Sequence, residues 1–187
     1  MTPTPFSQQW KKISRRIRVP LGFLSAIFYF WLAHPTWRSL LLSLVLVVPG
    51  ILLRSYASGH VTKNVQLTTT GPYSYTRNPL YFGSILIAFG FAIAARSLWI
   101  AFVFLVLFLI IYWPVIVDEE EYLRTQFTDY DAYAARVPRL IPRVGRPLPG
   151  REGRFSFELY RKHREYNSIL GALCMYLVLV GRIFLWR

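Results

Sequence analysis

The sequence predicts an all-α, polytopic membrane protein with about five transmembrane helices. Three observations carry this. Hydrophobic residues make up 54% of the 187-residue chain, above the ~45–50% of an ordinary soluble domain. They gather into runs near the ~20 residues that cross a bilayer core of about 30 Å as helix. The cations stand almost entirely in the connections between those runs.

The first run, Val19 to Ala33, extends backwards to Ile17 and follows Lys11, Lys12, Arg15, Arg16 and Arg18. Its flank resembles a signal peptide, but a cut after Ala33 would put Trp31 at the −3 position, which requires a small residue. The segment is therefore expected to be retained. His34-Pro35 reads as a tight turn into the second run, Trp37 to Leu53. The third run is Pro79 to Ala95, and the short Arg96-Ser97 turn leads to the fourth, Leu98 to Val117. The fifth is Ser168 to Trp186. Pro49-Gly50 and Pro114 are expected to kink or loosen the second and fourth helices, through simple packing or to widen a cavity at the cytoplasmic end. Cys174, the single cysteine, cannot form an internal disulfide and is expected to be a small packing residue.

If five helices alternate, the N-terminal tail, the second-to-third connection and the fourth-to-fifth connection share one face. Of the 22 Lys and Arg, all but Arg38, Arg96, Arg182 and Arg187 lie there. The positive-inside rule makes that face cytoplasmic and puts the C-terminus outside. Trp99, Trp113 and Trp186 near run ends suit the membrane interface. The net charge of +13 is accordingly read as attraction to anionic cytoplasmic headgroups, with no nucleic acid partner.

The stretch from Asp118 to Asn167 is heterogeneous. Asp118 to Arg136 is expected to continue the fourth helix out of the membrane. Arg136 to Phe155 carries Pro138, Pro142, Pro147 and Pro149 among glycines and arginines, and is expected to be irregular. Phe155 to Tyr166 alternates apolar and charged residues as an interfacial amphipathic helix. The whole, 1–187, is expected to be one domain: a membrane hairpin over 17–53, a motif region over 71–142, and an interfacial helix and span over 155–187.

Several chemistries find no support. Glycine-rich nucleotide loops and a nucleophile elbow are missing, and His34, His60 and His163 have no metal-ligand spacing. No metal site is expected. Two clusters remain. Gly71-Pro72-Tyr73-Ser74-Tyr75-Thr76-Arg77-Asn78-Pro79-Leu80-Tyr81 precedes and opens the third span. Asn78 is placed as N-cap with Pro79 at the first helical position. Asp118-Glu119-Glu120-Glu121 closes the fourth span. Taken alone it is also what a solvated helix surface looks like, with Glu120 paired to Arg124 at i, i+4. Spans three and four form a hairpin, so both clusters fall at its open end, where a lipophilic substrate and a polar cofactor could meet.

Together the runs GPYSYTRNPLYFG, EEEYLRTQF, Tyr130 with Tyr133, and RVPRLIP resemble the isoprenylcysteine carboxyl methyltransferase family, allied with the phospholipid N-methyltransferases. The likeness covers Gly71 to Pro142 and is to a bacterial- or archaeal-type member, which implies a prokaryotic inner membrane. It implies S-adenosylmethionine in a cytoplasmic pocket and a lipophilic or prenylated methyl acceptor. By that resemblance Gly71, Pro72, Tyr73, Asn78, Pro79, Tyr81, Glu119 and Glu120 would enclose the cofactor. Arg77, Glu120 and Arg136 would be catalytic. Two departures stand out: Asn78 occupies the family's histidine position, and Phe127-Thr128-Asp129-Tyr130 is one residue short of its F-G-x-x-Y and lacks the glycine.

A carboxylate acceptor is ionised at neutral pH and needs a cation to hold it, Arg77 or Arg136, rather than a base. The expected reaction is therefore carboxyl O-methylation of an isoprenylcysteine-like or isoprenoid acid. The alternatives are phospholipid amine N-methylation and, from other classes, an NADPH-dependent sterol-type reductase or a non-enzymatic membrane protein.

Overall fold

The computed structural model describes residues 27–61, 66–145 and 154–185. The N-terminal basic tail, most of the first expected span and Trp186 lie outside these residues. All regular structure among the described residues is helical. Helix α1 is described over residues 27–32. It is followed by α2 (Trp37–Ser58), a 3-10 turn (Gly71–Ser74), α3 (Pro79–Ala95) and α4 (Leu98–Gln126), which contains a π turn at Phe108–Tyr112. Then come the short α5 (Tyr130–Ala134) and α6 (Phe157–Lys162), and finally α7 (Tyr166–Leu185).

Helices α2, α4 and α7 are long and apolar enough to cross a membrane; α3 is a shorter apolar helix. They leave large side chains such as Leu41, Val45, Phe102 and Leu177 exposed, as lipid-facing helices must, because the hydrocarbon outside is as apolar as the interior. Cys174 on α7 is also exposed, contrary to the packing role expected of it.

The α2–α3 pair packs closely because both helices present glycines. A Cβ at Gly50 would lie 2.8 Å from the Gly83 carbonyl oxygen, and one at Gly90 would lie 2.5 Å from Val47 Cγ2. Small residues let two backbones approach where no hydrophobic force from water drives them together. Pro49 sits within the continuous α2, so the Pro49-Gly50 pair is spent on this approach. Pro114 is different. It has no N–H to donate to the carbonyl four residues earlier, and the π turn ends two residues before it, at Tyr112.

The turns form where the sequence places them. His34 N donates to Ala95 O at 2.9 Å. Arg96 closes α3 in the left-handed conformation, and the Ser97 hydroxyl caps α4. Arg182, buried in the last turn of α7, donates to the carbonyls of Ala33 and Trp31 at 2.5 and 3.1 Å. It thereby satisfies backbone acceptors at the end of α1 that the apolar surroundings would leave bare.

Three expected boundaries shift. Helix α2 runs five residues beyond Leu53, which carries Arg54 on its last turns. The helix leaving the membrane stops at Gln126, with Phe127 extended, before α5. The expected 155–166 helix is confined to α6, because Arg164 turns left-handed (φ 52°) and starts α7 afresh.

Candidate active site

The two motif clusters do meet. The loop before α3 is stitched to α5 and the irregular segment after it by hydrogen bonds. Arg77 N donates to Pro138 O (2.9 Å), Arg143 N to Tyr75 O (2.9 Å), Thr76 Oγ1 to Leu140 O (2.9 Å) and Tyr133 Oη to Tyr73 O (2.7 Å). Residues 60 or more apart in sequence thus form one floor.

Glu120 stands at its centre. Its side chain, 5% exposed, forms an ion pair with Arg77 Nη1 at 3.3 Å, and Oε2 accepts from Arg139 Nε at 3.0 Å. Oε1 accepts from Asn78 Nδ2 at 3.2 Å. A carboxylate so far from water needs such partners, since an unpaired buried charge is costly. The i, i+4 pairing with Arg124 is not formed; Arg124 instead reaches Asp131 at 2.7 Å on the exposed side of α4. Asn78 precedes α3 at the N-cap position, but its side chain makes no capping bond. Its Nδ2 also donates to Arg139 O at 2.9 Å. The amide is therefore used to lock the two clusters together.

Arg77 is nearly enclosed. Nη1 also reaches Tyr130 Oη at 3.5 Å, and Nε is buried without a hydrogen-bond partner among the described residues. Arg139 lies 5.4 Å above the Trp113 ring, a cation–π contact.

A cavity of about 620 Å³ opens beside this cluster. Arg77, Asn78, Pro79, Tyr81, Glu119 and Glu120 line it, as does Tyr73. Gly71 and Pro72 do not line it; they form the 3-10 turn that positions Tyr73. Gly71 is left-handed (φ 58°), and a Cβ there would meet the His60 ring at 2.7 Å, so only glycine serves. Arg136 is placed elsewhere: its Nε donates to Ala132 O on an exposed face, and it does not line the cavity.

Tyr130 and Tyr133 are buried and line the cavity. Burial raises the pKa of Tyr73, Tyr130 and Tyr133, and the carboxylates Glu119 (for Tyr73) and Glu120 (for Tyr130 and Tyr133) raise them further. Their hydroxyls are therefore neutral and can donate hydrogen bonds at all physiological pH.

Sequence reasoning missed three residues here. Arg139 stands three residues after Arg136 in the same motif, and only geometry separates the two. Arg54 and Glu165, which also line the cavity, form an ion pair at 2.6 Å. The one signal in the sequence was an arginine abutting the apolar run of α2.

A second cavity of about 390 Å³ lies between α3 and α4, lined by apolar side chains including Phe89, Phe104 and Phe108. Ser84 and Tyr112 line both cavities. Tyr112 belongs to the π turn, so the irregularity before Pro114 falls where the polar and apolar spaces adjoin.

Among the described residues no three His, Cys, Asp or Glu side chains gather to hold a metal ion. Residues 21–130 match the family model described as phospholipid methyltransferase. The chain is similar to the cobalt-zinc-cadmium resistance protein CzcN of Cupriavidus metallidurans, 33% identical over 68% of this chain and 62% of that protein. It is also similar to the nickel-cobalt-cadmium resistance protein NccN of Alcaligenes xylosoxydans xylosoxydans, 31% identical over 59% of this chain and 56% of that protein. The chain thus spans about 62% and 56% of the lengths of these curated relatives. No solved structure matches it.

Proposed function

This chain belongs to the phospholipid methyltransferase family, and from that premise we propose that it transfers a methyl group from S-adenosylmethionine to a lipophilic acceptor at the membrane surface. The observation that carries the proposal is the junction of two cavities: a polar one ringed by the family motifs and an apolar one open between α3 and α4, with Ser84 and Tyr112 common to both.

The residues present fit the cofactor. A volume of about 620 Å³ falls within the roughly 300–1,000 Å³ of small-molecule sites. Arg77 on the cavity wall offers positive charge for a carboxylate. Glu119 on the cavity wall offers an acceptor for an ammonium or for ribose hydroxyls. Glu120 has both oxygens engaged by the protein, so its part is to fix Arg77 and Asn78 in place. The neutral hydroxyls of Tyr73 and Tyr130 supply further donors.

The cofactor, when bound, brings a methyl group already activated on a sulfonium. The chain's task is then alignment and exclusion of water. The apolar cavity beside Phe104 and Phe108 accommodates a hydrocarbon tail and leaves the headgroup at Ser84 and Tyr112. Asn78 does not titrate, so where the family histidine stands this chain has no base. That favours an acceptor already ionised, a carboxylate of an isoprenylcysteine-like or isoprenoid acid. The phospholipid amine reading is kept by the family description itself; there Glu119 or water would have to take the proton.

The experiment is calorimetric titration of the detergent-purified protein with S-adenosylhomocysteine, with NADPH in parallel. Saturable binding of the first and none of the second is expected. The reverse result would replace the methyltransferase with a reductase, and binding of neither would remove the enzymatic reading.

A further inference from the structure

The acceptor needs a handle on the protein, and neither Arg77 nor Arg136 is placed to supply it. Arg77 is turned towards Glu120 and Tyr130. Arg136 lines neither cavity. Arg54, near the end of α2, meets the requirement. Its Nε donates to Glu165 Oε1 at 2.6 Å and to Ser168 Oγ at 3.3 Å. Its Nη1 donates to Leu80 O at 3.1 Å and to Ser84 Oγ. These four acceptors lie on α3, on α7 and on the turn leading into α7, so the guanidinium plane is fixed from two sides.

Nη2 makes no hydrogen bond among the described residues, and the side chain, 22% exposed, lines the polar cavity. Ser84, held by the same guanidinium, lines both cavities. Arg54 therefore stands at the threshold between the two spaces with unused donor capacity. A lipid whose tail lies among Phe89, Phe104 and Phe108 presents its headgroup to this point.

We propose that Arg54 is the anchor for an oxyanion on the acceptor headgroup, either the carboxylate of an isoprenoid acid or the phosphodiester of a phospholipid. The proposal rests on the methyltransferase reading of the cavity. Glu165 cancels much of the arginine's net charge, so the anion is held by directed N–H donors more than by bulk attraction. A planar guanidinium recognises carboxylate and phosphate in this way, and a lysine ammonium does so less selectively.

The test uses the full chain in detergent and four ligands: N-acetyl-S-farnesylcysteine, its neutral carboxamide, a short-chain phosphatidylethanolamine and S-adenosylhomocysteine. For a carboxylate acceptor, the wild type is expected to prefer the acid over the amide by about tenfold, the size of one charge-assisted hydrogen bond. Arg54→Gln should erase that preference, a larger change than any in S-adenosylhomocysteine affinity, with Arg54→Lys intermediate. For a phosphodiester acceptor, Arg54→Gln should instead weaken phosphatidylethanolamine by a similar factor. Ser84→Ala, which removes one acceptor fixing the guanidinium, keeps the ion pair and should reduce the same preference severalfold. It serves as the test if Arg54→Gln does not fold. Undiminished binding of both the acid and phosphatidylethanolamine in these variants, or a wild type that binds neither, overturns the proposal. Loss of S-adenosylhomocysteine binding in the wild type itself would sink the methyltransferase reading while the acid-to-amide ratio still reports on Arg54.

Discussion

The cavity is lined by two arginine–carboxylate centres, and they are built differently. At the first, one buried carboxylate, Glu120, is shared by two guanidiniums and an amide, and one guanidinium nitrogen remains buried and unpartnered. At the second, one guanidinium, Arg54, is shared among a carboxylate, two hydroxyls and a backbone carbonyl. The first centre has one more cation than anion; the second is balanced. An excess of fixed positive charge in a water-poor setting suits holding an anionic group of a cofactor. A balanced pair with spare donors suits discriminating among headgroups that arrive from the membrane.

Breaking the first centre should have the largest effect. Glu120→Ala leaves Arg77 and Arg139 facing each other without their anion. Stranding buried charge typically costs about 3–5 kcal/mol, so thermal unfolding in detergent should fall markedly and S-adenosylhomocysteine binding should vanish. Glu120→Gln keeps the shape, and should retain the fold while binding is lost. Normal binding in Glu120→Gln would show that the carboxylate only fills space.

The second centre can be sharpened rather than broken. Glu165→Gln keeps a hydrogen-bond acceptor beside Arg54 but removes the opposing charge. Anionic acceptors should then bind severalfold more tightly and their neutral analogues no better, measured as dissociation constants at fixed ionic strength. Tighter binding of neutral and anionic ligands alike would mean that the substitution had loosened the cavity instead.

The smallest effects separate two arginines of one motif. Arg139→Ala removes a side chain that is 38% exposed and leaves Glu120 paired to Arg77 and Asn78; a loss of about 1 kcal/mol is expected. Arg136→Ala touches only an exposed backbone contact and should fall within about 0.5 kcal/mol of wild type, with cofactor affinity unchanged. Equal effects of the two would remove the distinction between them.

The helical class, the breaks between runs and the hairpin that brings Asn78 and Glu120 to one end are legible in the sequence. These follow from the length of apolar runs and the positions of Pro, Gly and cations, which are local properties. The sequence also marks Arg77, Asn78, Glu119 and Glu120 as members of short motifs within residues 71–142, whereas Arg54 and Glu165, which line the same cavity, lie outside that stretch. It left open which way Glu120 faces, because a run of four acids has members on every side of a helix. It did not pair Arg54 with Glu165, residues 111 apart. Nor did it separate Arg139 from Arg136, since a segment rich in proline has no periodicity from which to assign directions. Only the tertiary structure decided these, because in a water-poor interior each charge settles against whichever partner packing brings within reach, and that is fixed by how α2, α3, α4 and α7 meet.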